Sequence, residues 1–580
     1  MKVLNKIYKK SILALVLAAG TMISSCTDYL TIIPSDKIVH ENFWQTKDQV
    51  NGMLAHSYLK LISTDAVRKA IVWGELRADN MTYPANYSQE IKYIVEANIL
   101  DENSFCHWGV FYEAINYANL VIEYAPLVVE RDPDFTEGDL EVVLGEMYAM
   151  RALCHFYLVR TFRDIPMALV PAANDAELPD YVQVHPMEAL NHIMADLDRA
   201  ENMVMKSGNY TTAASNYGRI TKNAVLAIKA DVNLWRAAFA KYYEGKTDLV
   251  AAGDDQKYYD LCVQNCQDVL ANMDAELEEN EKLHGNKGEK TPYNLLQNHV
   301  VDVDKNAEEH LSTVYDEIFG AKNSQESILE LQVEGDNITN GSCLGAYSMY
   351  GSEGKPGYAV VPTNFLAKYY ESDDLRAYSF TNAKSISGAA SSGSSSSEKS
   401  DICIVKYSAK SAPATNYRKS GEFDANWIVY RRTDVMLMMA EAMVTRPSAG
   451  TEDFTEAFNI VNAINKRSRV DTANVKRPLD VNKYQTKETA IELVLAERTR
   501  ELSYEGKRWY DLVRKALREG TTNNIKFVAD KLDSNSGVVK SKMSTIDGLF
   551  FPIHIDELRY NKNLKQNPAY IKEGESIEMN

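Results

Sequence analysis

The sequence of 580 residues lacks the short motifs that mark several common enzyme classes. Its ten histidines include no H-E-x-x-H spacing, and the chain has neither a phosphate-binding loop nor a dinucleotide-binding glycine fingerprint. Cys106 precedes His107, and Cys154 precedes His155. Adjacent helical residues point about 100 degrees apart, so neither pair can readily coordinate one metal ion. We expect no catalytic residue, no metal site and no cofactor.

Two further patterns look like enzyme chemistry without meeting its requirements. The run from Gly341 to Gly345 has the spacing of a nucleophile elbow, but more glycine-rich loop follows where that motif needs a helix. Glu371, Asp373 and Asp374 form a close acidic cluster, and a glycosidase site has no short signature by which it could be excluded. We interpret these three acids as solvated loop residues, because nothing in the sequence positively indicates catalysis.

Cysteine is scarce, with seven residues in the whole chain. Six of them are scattered rather than arranged as a dense framework, namely Cys106, Cys154, Cys262, Cys266, Cys343 and Cys403. A chain of this length does not need disulfides to hold a core. Cys262 and Cys266 lie four apart in a predicted helix, and no Cys or His pair nearby would complete a metal site. We therefore interpret these two cysteines as buried free thiols.

Apolar runs that approach the length of a bilayer span, about 20 residues, are not found after the start of the chain. The first ten residues carry four lysines and no acid, Ile12–Ala19 is apolar, and small residues lead to Cys26. This pattern indicates a secretory signal that ends in a lipobox. We predict a signal peptide over residues 1–25, lipidation of Cys26 and a lipidated tether over 26–42. The alternative is an ordinary cleaved signal that contains a cysteine by chance.

Basic residues are fewer than acidic residues, 63 against 81, which gives a formal net charge of -18. Removing the signal peptide removes four lysines and no acid, so the mature charge becomes -22. Such a surface repels nucleic acid, and the only membrane contact that we predict is through the lipid. With 45% hydrophobic residues the chain can bury a large core, and its length suggests several structural units.

Helical periodicity dominates the N-terminal region, 43–275, and returns near the C-terminus. Thr46 and Gln49 form a capping-box pattern, and Pro186 and Thr221 open later helices. Further predicted helices are Phe105–Ala125, Leu140–Phe162, Tyr258–Met273, Thr433–Val444, Phe454–Lys466 and Lys487–Glu505. Successive amphipathic helices with short or medium loops indicate antiparallel pairs of the tetratricopeptide kind, although a plain helical bundle would give the same periodicity.

The character of the chain changes between about residues 276 and 422. Long polar connections surround short runs of strand type, such as Ile328–Val333 and Ile402–Val405. Helical layers that flank a loop-rich middle form a scaffold that can hold a broad surface site.

Tyrosine outnumbers phenylalanine 34 to 16, which is a bias towards rings with a polar tip. A sugar presents apolar C–H faces and hydroxyl rims, so a ring beneath the face and carboxylate, amide or guanidinium groups at the rim would bind both. The candidate ligand-binding residues, which lie on predicted loops, are Arg77, Asp79, Asn80, Tyr83, Tyr87, Tyr293, Tyr347 and Tyr350. The alternative for each tyrosine is that it packs its own loop, and only their clustering favours binding.

A long motif in the C-terminal third carries a family resemblance. Residues 496–512, the signature segment, read A-E-R-T-R-E-L-S-Y-E-G-K-R-W-Y-D-L and closely resemble the signature of the SusD/RagB family of outer-membrane nutrient-binding lipoproteins. Other segments that look like family landmarks are Leu144–Leu153, Arg163–Pro166, Arg219–Ala224, Arg432–Ala442, Ala457–Arg469, Phe551–His554 and Leu564–Tyr570. The departures are Arg163 and Ala569, where the family usually has glycine, and His554, where it usually has proline.

The resemblance implies a mainly α fold, in which tetratricopeptide-like helix pairs form a right-handed helical scaffold with an irregular, loop-rich region carrying short strands. It divides the mature chain into an N-terminal SusD-like helical region, 43–275, and a C-terminal SusD/RagB region, 276–580. The loop-rich, ligand-binding part covers about 276–422, and closing helices follow it. Read physically, the signature segment is structural: Glu497 and Arg500 can form an ion pair, while Leu493, Leu502 and Trp509 can pack inward.

The resemblance also implies a function. Family members bind oligosaccharides, or in some cases peptides, at the cell surface and cap a SusC-like TonB-dependent transporter that imports the ligand. We therefore predict a non-catalytic, surface-exposed glycan-binding lipoprotein of the outer membrane that faces the cell exterior. A peptide-binding, RagB-like protein is the near alternative, and a surface glycosidase or a purely scaffolding helical-repeat lipoprotein is more distant. No ligand residue is carried over, because the family's ligand residues lie in variable loops outside these motifs.

Overall fold

Helices fill most of the chain in the computed structural model, which describes residues 43–172, 181–284, 291–302, 309–333, 349–352, 355–386, 401–410, 412, 418, 424–470, 477–532 and 536–571. The described residues from Thr46 onward form one compact unit. The predicted signal peptide, the lipidation site Cys26 and the whole tether lie outside the described residues, and so does the glycine-rich run that mimics a nucleophile elbow. The prediction of a mainly helical fold is confirmed.

Consecutive helices pack on each other through the first half of the chain. They are α1 (Lys47–Ile62), α2 (Thr64–Ile71), α3 (Gln89–Val95), α4 (Gly109–Tyr124), α5 (Pro126–Val129), α6 (Glu137–Phe162), α7 (Pro186–Met203), α8 (Ala213–Gly218), α9 (Lys222–Tyr243) and α10 (Asp254–His284). Helix α6 packs on α7, and α9 packs on α10. This stacking confirms the predicted tetratricopeptide-like helix pairs.

Helix α6 lies at the centre of this first half. Thr136 and Asp139 form a capping box at its start, and Gly145 permits close packing, since a Cβ there would come within 2.7 Å of the Met203 Cβ. Among the described residues, α6 is long and apolar enough to cross a bilayer by length and composition, which corrects our expectation that no later stretch approaches that length. However, 78% of its most apolar window is buried inside the protein, as is typical of a core helix.

The second half adds a further set of helices. They are α11 (Phe365–Tyr369), α12 (Arg376–Ser379), α13 (Arg432–Thr445), α14 (Thr451–Arg467), α15 (Lys487–Leu502), α16 (Arg508–Glu519), α17 (Ser536–Lys542) and α18 (Ile555–Tyr560). Helix α13 packs on α10, α14 and α15, and α16 packs on α9. The helices of the predicted N-terminal and C-terminal regions therefore share one core.

Short strands pair in two-stranded antiparallel sheets. They are β1 (Ile165–Pro166) with β2 (Gln183–Val184), β3 (His299–Asp302) with β4 (Glu309–Ser312), β5 (Ser327–Leu331) with β8 (Trp427–Arg431), and β6 (Gly351–Ser352) with β7 (Lys355–Pro356). Strands β5 and β8 are buried along their whole length, with Ser327 opposite Arg431 and Leu331 opposite Trp427. The strand predicted near Ile328 is confirmed, whereas Ile402 and Ile404 form only isolated bridges.

Several local predictions are confirmed by the helix ends and the core. The capping box of Thr46 and Gln49 is present, and Pro186 is the first residue of α7. Cys262 and Cys266 are buried free thiols on α10. That helix runs eleven residues beyond the predicted end at Met273, because its last turns are mostly charged and carry little apolar periodicity.

The signature segment joins α15 to α16 and is structural, as predicted. Leu493, Leu502 and Trp509 are buried, and Arg500 Nη2 lies 2.6 Å from Glu497 Oε2. Arg163, which stands where the family usually has glycine, ends α6 with φ of 69°, in the left-handed region that favours glycine. This position explains why glycine suits the family landmark there.

Candidate functional site

The chain after α2 continues as a π-helix, Val72–Leu76, on which the signature segment rests. Gly74 and Gly506 lie in contact, since a Cβ at Gly74 would overlap the Gly506 carbonyl. Buried Glu75 accepts hydrogen bonds from the backbone N–H groups of Tyr504 (2.6 Å) and Lys507 (2.9 Å). Burial raises the pKa of Glu75 to about 7 although these donors oppose the rise. The π-helix therefore fixes the start of the segment that follows.

Arg77 and Asn80, two candidate ligand residues, are buried beneath the surface. Arg77 donates to the carbonyls of Leu549 (2.8 Å) and Gly548 (2.6 Å), and its guanidinium lies 4.5 Å from the Trp509 ring centroid. The Asn80 amide donates to Glu75. The prediction that both line a loop surface is wrong, because both side chains are buried.

Asp79, a third candidate, is also buried and is an anchor of the fold. It accepts hydrogen bonds from Arg508 Nε (3.1 Å) and from the Tyr369 hydroxyl (2.5 Å), and Lys368 Nζ lies 3.3 Å away. Burial alone would raise the pKa of Asp79, but the charges of Arg508 and Lys368 lower it. The expected loop position of Asp79 is therefore corrected to the interior.

Lys531, which sequence reasoning missed, holds the turn that contains these anchors. Its buried ammonium donates to three carbonyl oxygens, those of Leu76 (3.0 Å), Ala78 and Met81 (2.7 Å). Burial lowers the pKa of Lys531 to about 7. The three carbonyls match the three donors of an ammonium, so the Lys531 side chain holds the turn in place.

The segment that carries Tyr83 meets the loop-rich part of the chain at a backbone bridge. Thr82 N donates to Val360 O and Val360 N donates to Thr82 O, both at 2.9 Å. Val361 continues the contact by pairing with Ile402. The stretch after Thr82 thus lies beside the chain around Tyr358.

Tyr83, Tyr87, Lys92 and Glu96 form a compact group at this surface, which we call the tyrosine platform. The rings of Tyr83 and Tyr87 meet edge to face at 5.1 Å and 63°, and Tyr87 is 42% exposed. Lys92 Nζ lies 4.7 Å from the Tyr87 ring centroid, and the Tyr83 hydroxyl donates to Glu96 Oε1 at 2.9 Å. Burial and Glu96 raise the pKa of Tyr83 to about 12.

Other groups around the tyrosine platform were not among the predicted residues. Tyr358 is 38% exposed, with the Arg68 guanidinium 5.2 Å from its ring centroid. Asp401 Oδ2 accepts from the backbone N–H of Ala85 at 3.5 Å. The spacing of Lys92 and Glu96, four apart at α3, was a sequence signal that could have found both, since such residues share a helix face.

The chain matches two family models that together span most of its length. Residues 325–570 match the model described as the SusD family, and residues 28–234 match the model described as starch-binding and associating with the outer membrane. The chain is a SusD-like protein.

The chain is also similar to SusD-like relatives in sequence and to SusD-like solved structures in fold. The SusD-like protein P38 of Formosa agariphila is 25% identical over 582 residues, covering 98% of this chain and the whole of that relative. A crystal structure of a SusD homologue from Bacteroides thetaiotaomicron gives a TM-score of 0.66 at 17% identity, covering 91% of this chain and 98% of that one. One from Bacteroides vulgatus gives a TM-score of 0.63 at 18% identity, covering 91% and 100%.

The remaining candidate residues of this SusD-like chain lie apart from the tyrosine platform or cannot be placed. Tyr350 is buried, and its hydroxyl donates to the Tyr504 carbonyl at 2.6 Å, so its expected loop position is wrong. Half-buried Tyr293 donates to Glu456 on α14 at 2.9 Å. Tyr347 lies outside the described residues.

The acidic cluster of the SusD-like chain, Glu371, Asp373 and Asp374, forms ion pairs with arginines. Glu371 pairs with Arg477 at 3.0 Å, Asp373 with Arg469 at 2.9 Å and Asp374 with Arg376 at 2.8 Å. Asp373 and Asp374 are buried, so their interpretation as solvated loop acids is wrong. Their arginine partners make them structural residues.

In the described part of this SusD-like chain, His107, His554 and Asp556 could together hold a metal ion. The two imidazole rings are stacked, with centroids 3.3 Å apart and an interplanar angle of 23°. His554 Nδ1 accepts the backbone N–H of Asp556 at 3.1 Å and caps α18. That lone pair is therefore used by the helix rather than directed at an ion.

Proposed function

We propose that this protein captures oligosaccharide at the cell surface without cleaving it and passes the ligand to a SusC-like TonB-dependent transporter. The observation that carries the proposal is the tyrosine platform, in which exposed Tyr87 stands beside an ammonium and a carboxylate. Similarity to the SusD family supports the ligand class, because the model that matches residues 28–234 is described as starch-binding and associating with the outer membrane.

The chemistry of the tyrosine platform suits a sugar. The Tyr87 ring offers an apolar surface for C–H groups, Lys92 is a hydrogen-bond donor, and Glu96, which accepts a hydrogen bond from Tyr83, is an acceptor. Because the pKa of Tyr83 is raised to about 12, its hydroxyl stays protonated at neutral pH. Asp401, which lies beside Ala85, adds a second carboxylate at the rim.

The proposal that the protein is not an enzyme rests on its family and on the state of its acids. SusD-like proteins are known as binding proteins. The one acidic cluster that the sequence offered for glycoside chemistry, at Glu371 to Asp374, pairs with arginines instead of facing a cleft as a free acid and base.

The proposed location follows from the start of the chain and from the family. The lipobox at Cys26 supports export and attachment by lipid, and the family description supports the outer membrane. We propose that the lipid anchor keeps the protein on the outer face, beside its transporter.

A panel of oligosaccharides and peptides, incubated with the purified mature protein, tests the proposal. We expect retention of one glycan class, measured by calorimetry, and no new reducing ends after prolonged incubation. Reducing-end products would identify a glycosidase instead. Retention of peptides without glycans would favour the RagB-like alternative, and binding of neither class would favour a scaffold.

A further inference from the structure

A cleft of about 370 Å³ lies between α8, the C-terminal half of α10 and the start of β5. Side chains that line it include Tyr217, Asn223, Glu276, Asn280, Gln325 and Ile328. Pockets that bind small molecules have volumes of about 300–1,000 Å³, so the cleft is large enough for a small ligand. It has no residue in common with the tyrosine platform.

Helix α10 presents one continuous face to this cleft. Met273, Glu276, Leu277, Asn280 and Glu281 recur at intervals of three and one, which puts all five on the same side of the helix. The apolar members form part of the wall, and the polar members stand among them.

The opposite wall depends on a close approach of α8 to β5. Gly218 ends α8, and a Cβ there would come within 2.3 Å of the Gln332 Cγ. Gln332 directly follows β5, and Tyr217, Gln325 and Ile328 line this part of the cleft. The cleft is thus framed by three packed elements.

Polar groups that line the cleft can form more hydrogen bonds than they make within the protein. Glu276 accepts hydrogen bonds from Ser207 Oγ (3.0 Å) and Asn223 Nδ2 (2.9 Å), but a carboxylate has about four lone-pair positions. Burial and the nearby acids Glu276 and Glu330 raise the pKa of Tyr217 to about 12, so its hydroxyl stays a donor. A tyrosine ring, amides and a carboxylate therefore line the same cleft.

The charge of the cleft favours a cation. Glu276 and Glu281 both line it, and none of its described lining residues is lysine or arginine. The charge of Arg432 acts to lower the pKa of Glu276. However, the Arg432 guanidinium donates hydrogen bonds to Asp274 Oδ1 at 2.7 Å and to the Tyr293 carbonyl at 2.8 Å. An anionic ligand would meet two carboxylates without a basic partner.

We propose that this cleft is a second ligand site, which binds a small polyhydroxylated molecule with a protonated amine, such as an amino sugar. The ammonium pairs with Glu276 and Glu281, the hydroxyls bond to Asn223, Asn280 and the Tyr217 hydroxyl, and C–H groups contact the ring. The site is independent of the tyrosine platform and of the transport function proposed above.

Saturation-transfer NMR and calorimetry on the mature protein test this site, with glucosamine, glucose and glucuronate as probes. We expect glucosamine to bind more tightly than glucose, and glucuronate to give no signal. Glu281→Gln should weaken glucosamine at least about fivefold, the loss expected for one partly exposed charge-assisted hydrogen bond. Glu278→Gln is the matched control, because Glu278 is exposed on α10 and does not line the cleft.

Specific outcomes would overturn the proposal. These are no binding of glucosamine, equal binding of glucuronate and glucosamine, or the same effect from Glu281→Gln and Glu278→Gln. Tyr87→Ala should leave glucosamine binding unchanged, since that residue belongs to the tyrosine platform. A loss of glucosamine binding in Tyr87→Ala would place the amino sugar there instead. Thermal unfolding of each variant checks that the fold is intact.

Discussion

The signature segment contacts the π-helix Val72–Leu76, and the tyrosine platform follows the turn after that helix. The polar groups of these two regions have different partners. In the signature segment, Glu501 is buried and accepts hydrogen bonds from Arg431, Arg467, Arg376 and Tyr315. In the tyrosine platform, by contrast, the Tyr87 ring is 42% exposed, with Lys92 Nζ 4.7 Å from its centroid.

The comparison shows where this protein has chemistry available for a ligand. A buried charge is tolerated when hydrogen-bond partners surround it, and those partners leave it no hydrogen-bonding position for a ligand. The residues that identify the family are of this kind, and so are Arg77 and Asp79. Ligand recognition falls to residues outside the motifs, whose partners are fewer.

The largest effect should come from removing the centre of the buried ion network. Glu501→Ala leaves Arg431, Arg467 and Arg376 without their shared carboxylate, and we expect the free energy of unfolding to fall by about 4 kcal/mol. Urea unfolding at pH 7 measures the change. If the variant does not fold, Glu501→Gln, which keeps the shape and loses the charge, gives a measurable intermediate value.

An exposed ion pair provides the matched control for Glu501. Glu371→Ala removes the pair with Arg477, which is 76% exposed, and should cost less than about 1 kcal/mol. Equal losses in the two variants would show that burial does not distinguish the signature network from the surface.

Acid should weaken the same buried network. Glu441 on α13 accepts hydrogen bonds from Arg514 (2.7 Å) and Arg518 (2.6 Å). Burial alone would raise the pKa of Glu441, but Arg514, Arg518 and Arg498 lower it to about 2 from an ordinary value of 4.5. A lowered pKa means that the stability is present above pH 4.5 and is lost as the pH falls towards 2.

We expect this carboxylate to account for a loss of about 3 kcal/mol between these pH values. About 2 kcal/mol of this loss falls between pH 5 and pH 3, where urea unfolding compares the wild type with Glu441→Gln. The variant should be less stable at pH 5 but should change less between the two pH values. An identical pH dependence would mean that other carboxylates carry the acid sensitivity.

The contact between the end of α2 and the signature segment should be the next most sensitive feature. Gly506 has φ of 72°, and a Cβ there would come within 2.8 Å of the Ala70 carbonyl oxygen. Gly520 has a similar φ of 64° with no atom near its Cβ position, so Gly520→Ala reports the backbone cost alone, about 1 kcal/mol.

Gly506→Ala should lose about 2 kcal/mol more than Gly520→Ala, because the added methyl group overlaps a backbone atom that cannot move alone. Thermal and urea unfolding compare the two variants. Equal losses would show that the close approach to Ala70 contributes nothing beyond the left-handed backbone.

Much of the scaffold could be predicted because its signals are local. The periodicity of Leu140–Phe162 and the apolar run near Ile328 gave helix α6 and strand β5, since side-chain spacing alone determines such elements. Helix α10 was predicted too short because its charged last turns lack that spacing. The missing turns include four of the five α10 residues that line the proposed amino-sugar cleft.

The candidate site was predicted only in part, for a physical reason. Arg77 and Asp79 look like exposed loop residues in sequence, but their partners Leu549 and Arg508 lie 472 and 429 positions away. No local pattern reports such contacts. Tyr83 and Tyr87 came out together on the surface because their spacing places them within one short segment.

The smallest effect, and the one that tests the other half of the comparison, concerns Tyr87. Tyr87→Ala should weaken binding of the retained glycan about fivefold, which is about 1 kcal/mol for one ring contact, while the free energy of unfolding changes by less than about 0.5 kcal/mol. Calorimetry and urea unfolding measure the two quantities. Tyr560, 87% exposed on α18, is the matched control, and Tyr560→Ala should change neither. If Tyr87→Ala instead lowers stability and leaves the affinity unchanged, this ring packs its own loop, and the contrast between a structural signature segment and a binding surface at Tyr87 fails.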